Sequence, residues 1–121
     1  MAMPDMRTFT GGCHCGQVRF ECTTDLSMVT ACNCSICTKK GLHFTFLAPP
    51  SFQLRAGADV LKEYLFNHRA IKHQLCPDCG VDVFARGKRP DGTDVVALNV
   101  SCIDGIELSK LVMTPVDGRN R

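Results

Sequence analysis

The sequence predicts a small all-β protein with little helix, and three observations indicate this class. Apolar and polar residues alternate in several short runs, which is the two-residue period of a half-buried strand. Turn-forming residues, mainly Gly, Pro, Asn and Asp, separate these runs. The chain of 121 residues is long enough for one hydrophobic core but too short for two ordinary domains. We therefore expect a single domain over residues 1–121, in which only the first seven and the last four residues fray.

The predicted strands follow one another closely along the chain. In QVRFECT, Val18 and Phe20 alternate with polar residues. In LHFTFLA, Leu42, Phe44 and Phe46 share one face until a proline pair, which cannot donate to a ladder, ends the strand. The remaining strand candidates are SFQLR, LKEYLF, IKHQL, VDVFA and DVVALNV. Turns are expected at AGAD, NHR and GKRPDG, and the one helical candidate, CIDGIELSKLVM, is short and interrupted by glycine.

Charge and hydropathy exclude several classes of partner. Lys and Arg total 14 against 12 for Asp and Glu, so the formal charge of +2 gives no strong field for nucleic acid or an anionic membrane. The start MAMPDMRTFTGG lacks an apolar signal region, and no stretch approaches the roughly 18 apolar residues of a membrane span. We therefore expect a soluble cytoplasmic protein with neither nucleic-acid nor membrane partners.

The nine cysteines are grouped in a way that is typical of metal ligands rather than of disulfide bridges spread over loops. In a reducing compartment such groups predict zinc sites, and the alternative is a set of buried or redox-labile thiols. The groups are Cys13/Cys15, Cys32/Cys34/Cys37 and Cys76/Cys79, with Cys22 and Cys102 alone.

Two of these groups lie in motifs whose backbone suits a metal. In CPDCG, the sulfurs of Cys76 and Cys79 converge across a C-x-x-C turn, and Gly80 can take the positive φ that such a turn requires. In GGCHCG, Cys13 and Cys15 lie on one face of an extended strand, and the flanking glycines let the backbone approach a metal. The alternative for CPDCG is a β-turn with two incidental cysteines.

Spacing alone leaves the pairing of these groups open. The two C-x-x-C elements, CSIC and CPDC, would together make an ordinary zinc ribbon. That pairing leaves Cys13, Cys15 and Cys32 unexplained.

The order of motifs along the chain resembles the glutathione-dependent formaldehyde-activating enzyme family, to which centromere protein V is also related. The resemblance runs from about Gly11 to Arg119, which gives a domain core of about 11–119. It implies a β-tent of small packed antiparallel sheets stapled by a structural zinc. The motifs that carry it are GGCHCGQVRFE, CNCSICTKKG, LCPDCG, NVSCIDGIEL and VDGR.

The same resemblance implies two zinc sites with different roles. The structural zinc is assigned to Cys13, Cys15, Cys76 and Cys79. The active-site zinc is assigned to Cys32, Cys34 and Cys37. This division agrees with the chemistry of the metal, because four thiolates fill a tetrahedron whereas three leave one position open to an incoming ligand.

An open zinc position suits the activation of a thiol, because zinc lowers the pKa of a group that it binds. The resemblance implies a carbon–sulfur lyase reaction, in which a small thiol such as glutathione adds to an aldehyde such as formaldehyde, or the adduct is cleaved. Its partners are then a small-molecule thiol and an aldehyde. We expect Cys34, the middle ligand, to be the most sensitive catalytic position.

Two alternatives remain open at this point. A fourth ligand from Cys22, Cys102 or a histidine would close the second site and make both zincs structural. The other alternative is a non-catalytic, zinc-stabilised protein-interaction module with the same fold, in which the second metal is vestigial.

The other polar residues near the motifs receive plainer interpretations. Lys39 and Lys40 could offset the charge of the nearby cysteines or meet a substrate carboxylate, but a solvated pair is the default. Tyr64 is expected in the core or at its rim. Surface or hydrogen-bonded positions are expected for the scattered histidines His14, His43, His68 and His73.

Overall fold

The structure, a computed structural model, describes residues 6–65 and 71–117, and strands are its main secondary structure. His68 and the predicted turn NHR lie outside these residues. The described residues include one short α-helix, α1, at Ser35–Lys40, and 3-10 turns at Pro49–Ser51, Val100–Cys102 and Leu108–Lys110. The strands are β1 Arg7–Gly12, β2 Arg19–Thr24, β3 Val29–Cys32, β4 Phe44–Leu47, β5 Phe52–Ala56, β6 Lys62–Leu65, β7 Lys72–Leu75, β8 Asp82–Lys88, β9 Asp94–Asn99 and β10 Met113–Val116. The all-β prediction is confirmed.

The strands form two sheets. The smaller has the order β1-β2-β5, and the larger has the order β10-β3-β4-β9-β8-β7-β6. All pairs are antiparallel except β10 with β3, which is parallel. This pair departs from the purely antiparallel sheets implied by the resemblance, because β10 returns to the sheet edge over a long connection rather than through a hairpin.

The two sheets share one hydrophobic core. Val18 and Phe20 are 0% and 1% exposed, as their alternation predicts. The ring of Phe52 in the smaller sheet lies 5.5 Å from that of Phe20 and 4.7 Å from that of Phe84 in the larger sheet, measured between centroids. Aromatic contacts at these distances join the sheets directly.

A second, smaller cluster covers the other face of the larger sheet. Successive residues of β8 lie on opposite faces of the sheet. Phe84 packs in the shared core, whereas Ala85 packs in the second cluster. This cluster includes Ile36 and Cys37 of α1, and it buries Phe44 as predicted. Phe46 shares that face of β4 but is 45% exposed, because α1 covers only part of the face.

The prediction that CIDGIELSKLVM could form a helix is wrong. Its residues form parts of two separate 3-10 turns, and Gly105 between them has a positive φ of 73°. A left-handed residue ends a right-handed helix, so the segment cannot continue across this position. None of the helices that the structure describes is long and apolar enough to cross a membrane.

Candidate metal centres

Four sulfur atoms come together from two turns that are far apart in the sequence. Cys13 and Cys15 follow β1, Cys76 and Cys79 follow β7, and their four sulfur atoms all lie within 4.8 Å of one another. The Cys15 Sγ lies 3.6 Å from the Cys13 Sγ and 3.7 Å from the Cys76 Sγ. Four sulfurs placed ~2.3 Å from one zinc would be roughly 3.8 Å apart, so this group has the size of a zinc tetrahedron.

The two turns of this four-cysteine centre are built alike. The N–H of Cys13 donates to the carbonyl of Val18 at 3.1 Å, and the N–H of Cys76 donates to the carbonyl of Val81 at 3.0 Å. Each hydrogen bond closes a loop that turns its cysteine pair toward one point. Gly80 has a φ of 77°, so the positive φ predicted for this glycine is confirmed.

The glycines before Cys13 are needed for backbone packing, a reason that was not predicted from the sequence. A Cβ on Gly12 would lie 2.0 Å from the carbonyl oxygen of Val18, and a Cβ on Gly11 would lie 2.1 Å from that of Cys102. These backbone atoms cannot move aside as a flexible side chain can. Both positions therefore require glycine because the chain crosses itself closely here.

Polar contacts around the four sulfurs hold the two turns together. The Gln17 side chain donates to Asp78 Oδ2 at 2.8 Å and to the Cys76 Sγ at 3.6 Å. The N–H of Val18 donates to the Cys13 Sγ at 3.3 Å. Hydrogen bonds of this kind orient thiolates and favour their charged form.

The cysteines of this centre differ widely in pKa. Burial raises the pKa of Cys79, but N–H groups of Cys15 and Val81 and neighbouring thiols lower it further, to about 6. The N–H of Gln17 lowers the pKa of Cys15, but the other thiols and burial together raise it to about 12. Four adjacent sulfurs cannot all become thiolates unless a cation compensates their charge, and this is the chemistry of a divalent metal site.

Three further sulfurs form a second group, the three-cysteine centre. Cys32 ends β3, Cys34 is the N-cap of α1, and Cys37 lies in the helix. Their sulfur atoms also lie within 4.8 Å of one another. Cys37 is buried against the sheet, whereas Cys32 and Cys34 are half-buried at the surface. The centre is therefore reached from the side of Cys32 and Cys34.

The start of α1 favours charge on one sulfur of this centre. Burial raises the pKa of Cys34, but N–H groups of Cys37 and Ile36 and the neighbouring thiols lower it below its usual value. Burial raises the pKa of Cys37, and Cys34 and Cys32 raise it further. This group also needs a cation before all its sulfurs can be anionic.

The chain's C-terminal strand holds the loop of this centre. Asn33 lies between two of the cysteines, and its N–H donates to the carbonyl of Val116 at 3.0 Å. Its side-chain amide donates to Asp117 Oδ1 at 2.8 Å. The parallel pair of β10 with β3 thus continues into the cysteine loop.

Among the described residues, no fourth His, Cys, Asp or Glu joins the three-cysteine centre. Cys22 and Cys102, which the closed-site alternative invokes, both lie in the core shared by the two sheets. Burial raises the pKa of Cys22 to about 11 and that of Cys102 to about 12. Both therefore behave as small buried hydrophobic residues.

The histidines fall outside both sulfur groups wherever the structure describes them. His14 is exposed, and His43 is half-buried with a buried Nδ1. His73 is 2% exposed and is hydrogen bonded to Asp82 at 3.0 Å, as expected for a satisfied core histidine. Asp82 is not among the predicted site residues, although one carboxylate inside the apolar run VDVFA is a signal that could have identified it.

A groove of about 340 Å³ runs along the sheet face that carries α1. Ala85 and Ala97 line it, and both also pack in the cluster that contains Cys37. Its lining also includes three cationic residues, Arg86, Lys88 and Arg89. The groove therefore shares two apolar lining residues with the surroundings of the three-cysteine centre and also has cationic residues in its lining.

The fold and these groups define a small β protein with two cysteine clusters that could hold metal ions, one of four sulfurs and one of three. The sequence pattern of the glutathione-dependent formaldehyde-activating enzymes matches residues 8–115, so the chain belongs to this family. A crystal structure of a Rhodobacter sphaeroides protein is similar, with a TM-score of 0.74 and 26% sequence identity, over 87% of this chain and 99% of that one.

Proposed function

We propose that this protein is a zinc-dependent carbon–sulfur lyase or synthase that adds a small, glutathione-like thiol to an aldehyde such as formaldehyde, and catalyses the reverse reaction. The observation that carries the proposal is the unequal number of sulfurs in the two centres. The four-cysteine centre would hold a structural zinc with a filled coordination shell. The three-cysteine centre would hold the active-site zinc. Family membership supports the proposed class of reaction.

The proposed reaction needs a thiolate and a place for one proton. The S–H proton leaves the thiol, its sulfur bonds to the carbonyl carbon, and the carbonyl oxygen takes up a proton to give an S-hydroxyalkyl product. A zinc ion held at Cys32, Cys34 and Cys37 would supply a Lewis acid that lowers the pKa of the incoming thiol. The protein residues hold this centre at the surface, where Cys32 and Cys34 are only half-buried.

The groove beside the centre suits a thiol that carries an acidic tail. Ala85 and Ala97 line it and also pack in the cluster of Cys37, and three cations are among its other lining residues. Lys88 is paired with Asp94 at 2.8 Å and Arg86 lies over the Phe84 ring at 5.2 Å. We therefore assign the substrate carboxylate to Arg89, whose anionic neighbour in the same turn is Asp91. A carboxylate and a guanidinium form a directional pair.

Replacing Arg89 by alanine is therefore expected to raise KM for glutathione by roughly three- to tenfold at low salt, which corresponds to about 1 kcal/mol for a surface ion pair. The same change should leave KM unaltered for 2-mercaptoethanol, which has no carboxylate. Arg55→Ala in the smaller sheet is the matched control, because Arg55 pairs with Glu21 far from this groove in the fold. Equal effects on both thiols would contradict the assignment.

The proposed activity itself is tested by exchange at equilibrium, because the uncatalysed addition is fast. With glutathione and formaldehyde, NMR magnetisation transfer between the free aldehyde hydrate and the adduct should be accelerated by the zinc-loaded protein. Chelation should remove this acceleration. It should also release zinc in two phases, the faster one from the three-cysteine centre.

The opposite result would favour the interaction-module alternative. If no thiol of a panel showed exchange above background or any binding, the enzyme would be excluded. Two zinc ions that resist chelation equally would also favour the interaction module, because they would indicate that both centres are closed.

A further inference from the structure

Asp82 is a buried carboxylate that the metal centres do not use. Its side chain is 2% exposed, and its Oδ2 lies 3.0 Å from His73 Nδ1 and 3.5 Å from Lys40 Nζ. Its Oδ1 is also buried and has no hydrogen-bond partner among the described residues. Burying a carboxylate is costly, and leaving one of its oxygens without a donor adds to that cost. This arrangement requires an explanation.

The position of Asp82 in the chain suggests a structural role for its buried carboxylate. Asp82 is the first residue of β8, and it follows the turn that carries Cys76 and Cys79 of the four-cysteine centre. Lys40 ends α1, whose first turns carry Cys34 and Cys37 of the three-cysteine centre. The ion pair of Lys40 with Asp82 therefore joins α1, which carries the three-cysteine centre, to β8, which follows a turn of the four-cysteine centre.

The helix α1 needs such an anchor because it is weak by itself. It has six residues, its N-cap makes no side-chain hydrogen bond, and its first turn has no acidic residue. A helix of this length is not stable in isolation, so tertiary contacts must hold it. Ile36 anchors one side of it by burial in the second cluster, and Lys40 anchors its last turn.

The lysine itself is held in place from both sides. Its side chain is 31% exposed, and its Nζ lies 5.9 Å from the centre of the Tyr64 ring on β6. A cation near an aromatic face is attracted to it. His73 on β7 fixes the carboxylate from the other side. The ion pair thus has a defined geometry, unlike a solvated surface pair.

We propose that Asp82 and Lys40 are positioning residues for the three-cysteine centre. Their ion pair, the Asp82–Lys40 clamp, fixes the end of α1 to β8 and thereby sets the distances among Cys32, Cys34 and Cys37. The clamp makes the geometry of this centre depend on the strand that the four-cysteine centre orients. This inference rests on the proposed function in so far as the three-cysteine centre holds a metal.

The test is the variant Lys40→Met, which keeps the length of the side chain but removes its charge. In the zinc-loaded protein we expect the faster phase of zinc release to chelator to accelerate by about tenfold, whereas the slower phase is unchanged. Lys39→Met is the matched control, because Lys39 lies in the same helical turn and is exposed. Lys40→Arg should restore the release rate of the unmodified protein.

A spectroscopic readout separates positioning from general destabilisation. After the labile zinc is removed, Co²⁺ should refill only the three-cysteine centre and give thiolate-to-cobalt absorption bands. Lys40→Met should shift these bands, because they depend on ligand geometry, and Lys40→Arg should return them. A lower melting temperature with unchanged bands and an unchanged ratio of the two release rates would overturn the clamp.

Failure of the proposed function gives a different result. If the unmodified protein bound one metal only, or released two in a single phase, the open centre would be wrong. In that case, amide hydrogen exchange in residues 35–40 tests whether the Asp82–Lys40 clamp holds α1. Faster exchange there in Lys40→Met, but not in Lys39→Met, would support it, and equal exchange in the two variants would overturn it.

Discussion

Cys76→Ser is expected to give protein that is insoluble or poor in metal, the largest effect of any single substitution considered. Cys76 is 0% exposed, and its sulfur lies 3.7 Å from that of Cys15, which is 61 residues away in the sequence. Structural zinc contributes on the order of 10 kcal/mol in small zinc domains, comparable to the whole stability of an ordinary domain. Serine at this position removes a ligand and leaves one buried, one half-buried and one exposed cysteine without a closed site.

The measurement combines soluble yield, zinc content and a thermal melting curve. Cys22→Ala is the control, because Cys22 is also buried but belongs to the core rather than to either sulfur group. It should cost only about 1 kcal/mol and keep the full metal content. Full zinc and an unchanged melting curve for Cys76→Ser would show that the four-cysteine centre is not a structural zinc site.

Cys34→Ser is expected to lower catalysed thiol–aldehyde exchange by at least about 100-fold while the fold and one zinc persist. The substitution removes the sulfur at the N-cap of α1, which N–H groups of that helix favour as a thiolate by lowering its pKa. The four-cysteine centre is made by other segments of the chain, so it should retain its metal.

Metal analysis and exchange NMR on the same preparation test this result. Ser35→Ala is the control, because Ser35 is exposed and is not among the clustered sulfur ligands. It should leave both metal content and exchange as in the unmodified protein. A Cys34→Ser protein that lost both metals together, or that kept its exchange rate, would contradict a separate catalytic centre.

Sequence alone predicts seven of the ten described strands, β2 and β4 to β9, and misses β1, β3 and β10. QVRFECT becomes β2, whose buried alternation leaves a clear period in the sequence. VDVFA becomes the start of β8, where residues on both faces are buried. The segments of β1 and β10 bury few side chains, and β10 contains Pro115. An edge strand is held by backbone pairing that any sequence can make, so its residues carry little periodic signal.

The helix α1 is missed for a different reason. Its sequence, SICTKK, contains Ser, Cys and Thr, which are poor helix formers, and it is shorter than any stretch for which a period can be read. Packing of Ile36 and the end contact of Lys40 hold it instead. Such contacts depend on residues 42 positions away, which no local pattern contains.

The site is predicted in part. Local spacing finds each cysteine group, because ligands on one turn are close in sequence. Joining Cys13 and Cys15 to Cys76 and Cys79 requires the family resemblance, because the fold brings these turns together across 61 residues. The role of Asp82 follows from burial and from its partners, which sequence does not show.

The parallel pair of β10 with β3 has a consequence for how this chain comes to be folded. Asn33 is held by Asp117 across 84 residues, so the loop of the three-cysteine centre is synthesised long before the strand that supports it. Pairings between such distant segments form slowly, because the chain must first lose the entropy of a large loop. The nascent protein therefore carries three unsupported thiols until β10 and Asp117 have been added, 84 residues after Asn33, and the contacts that support the centre can form only then.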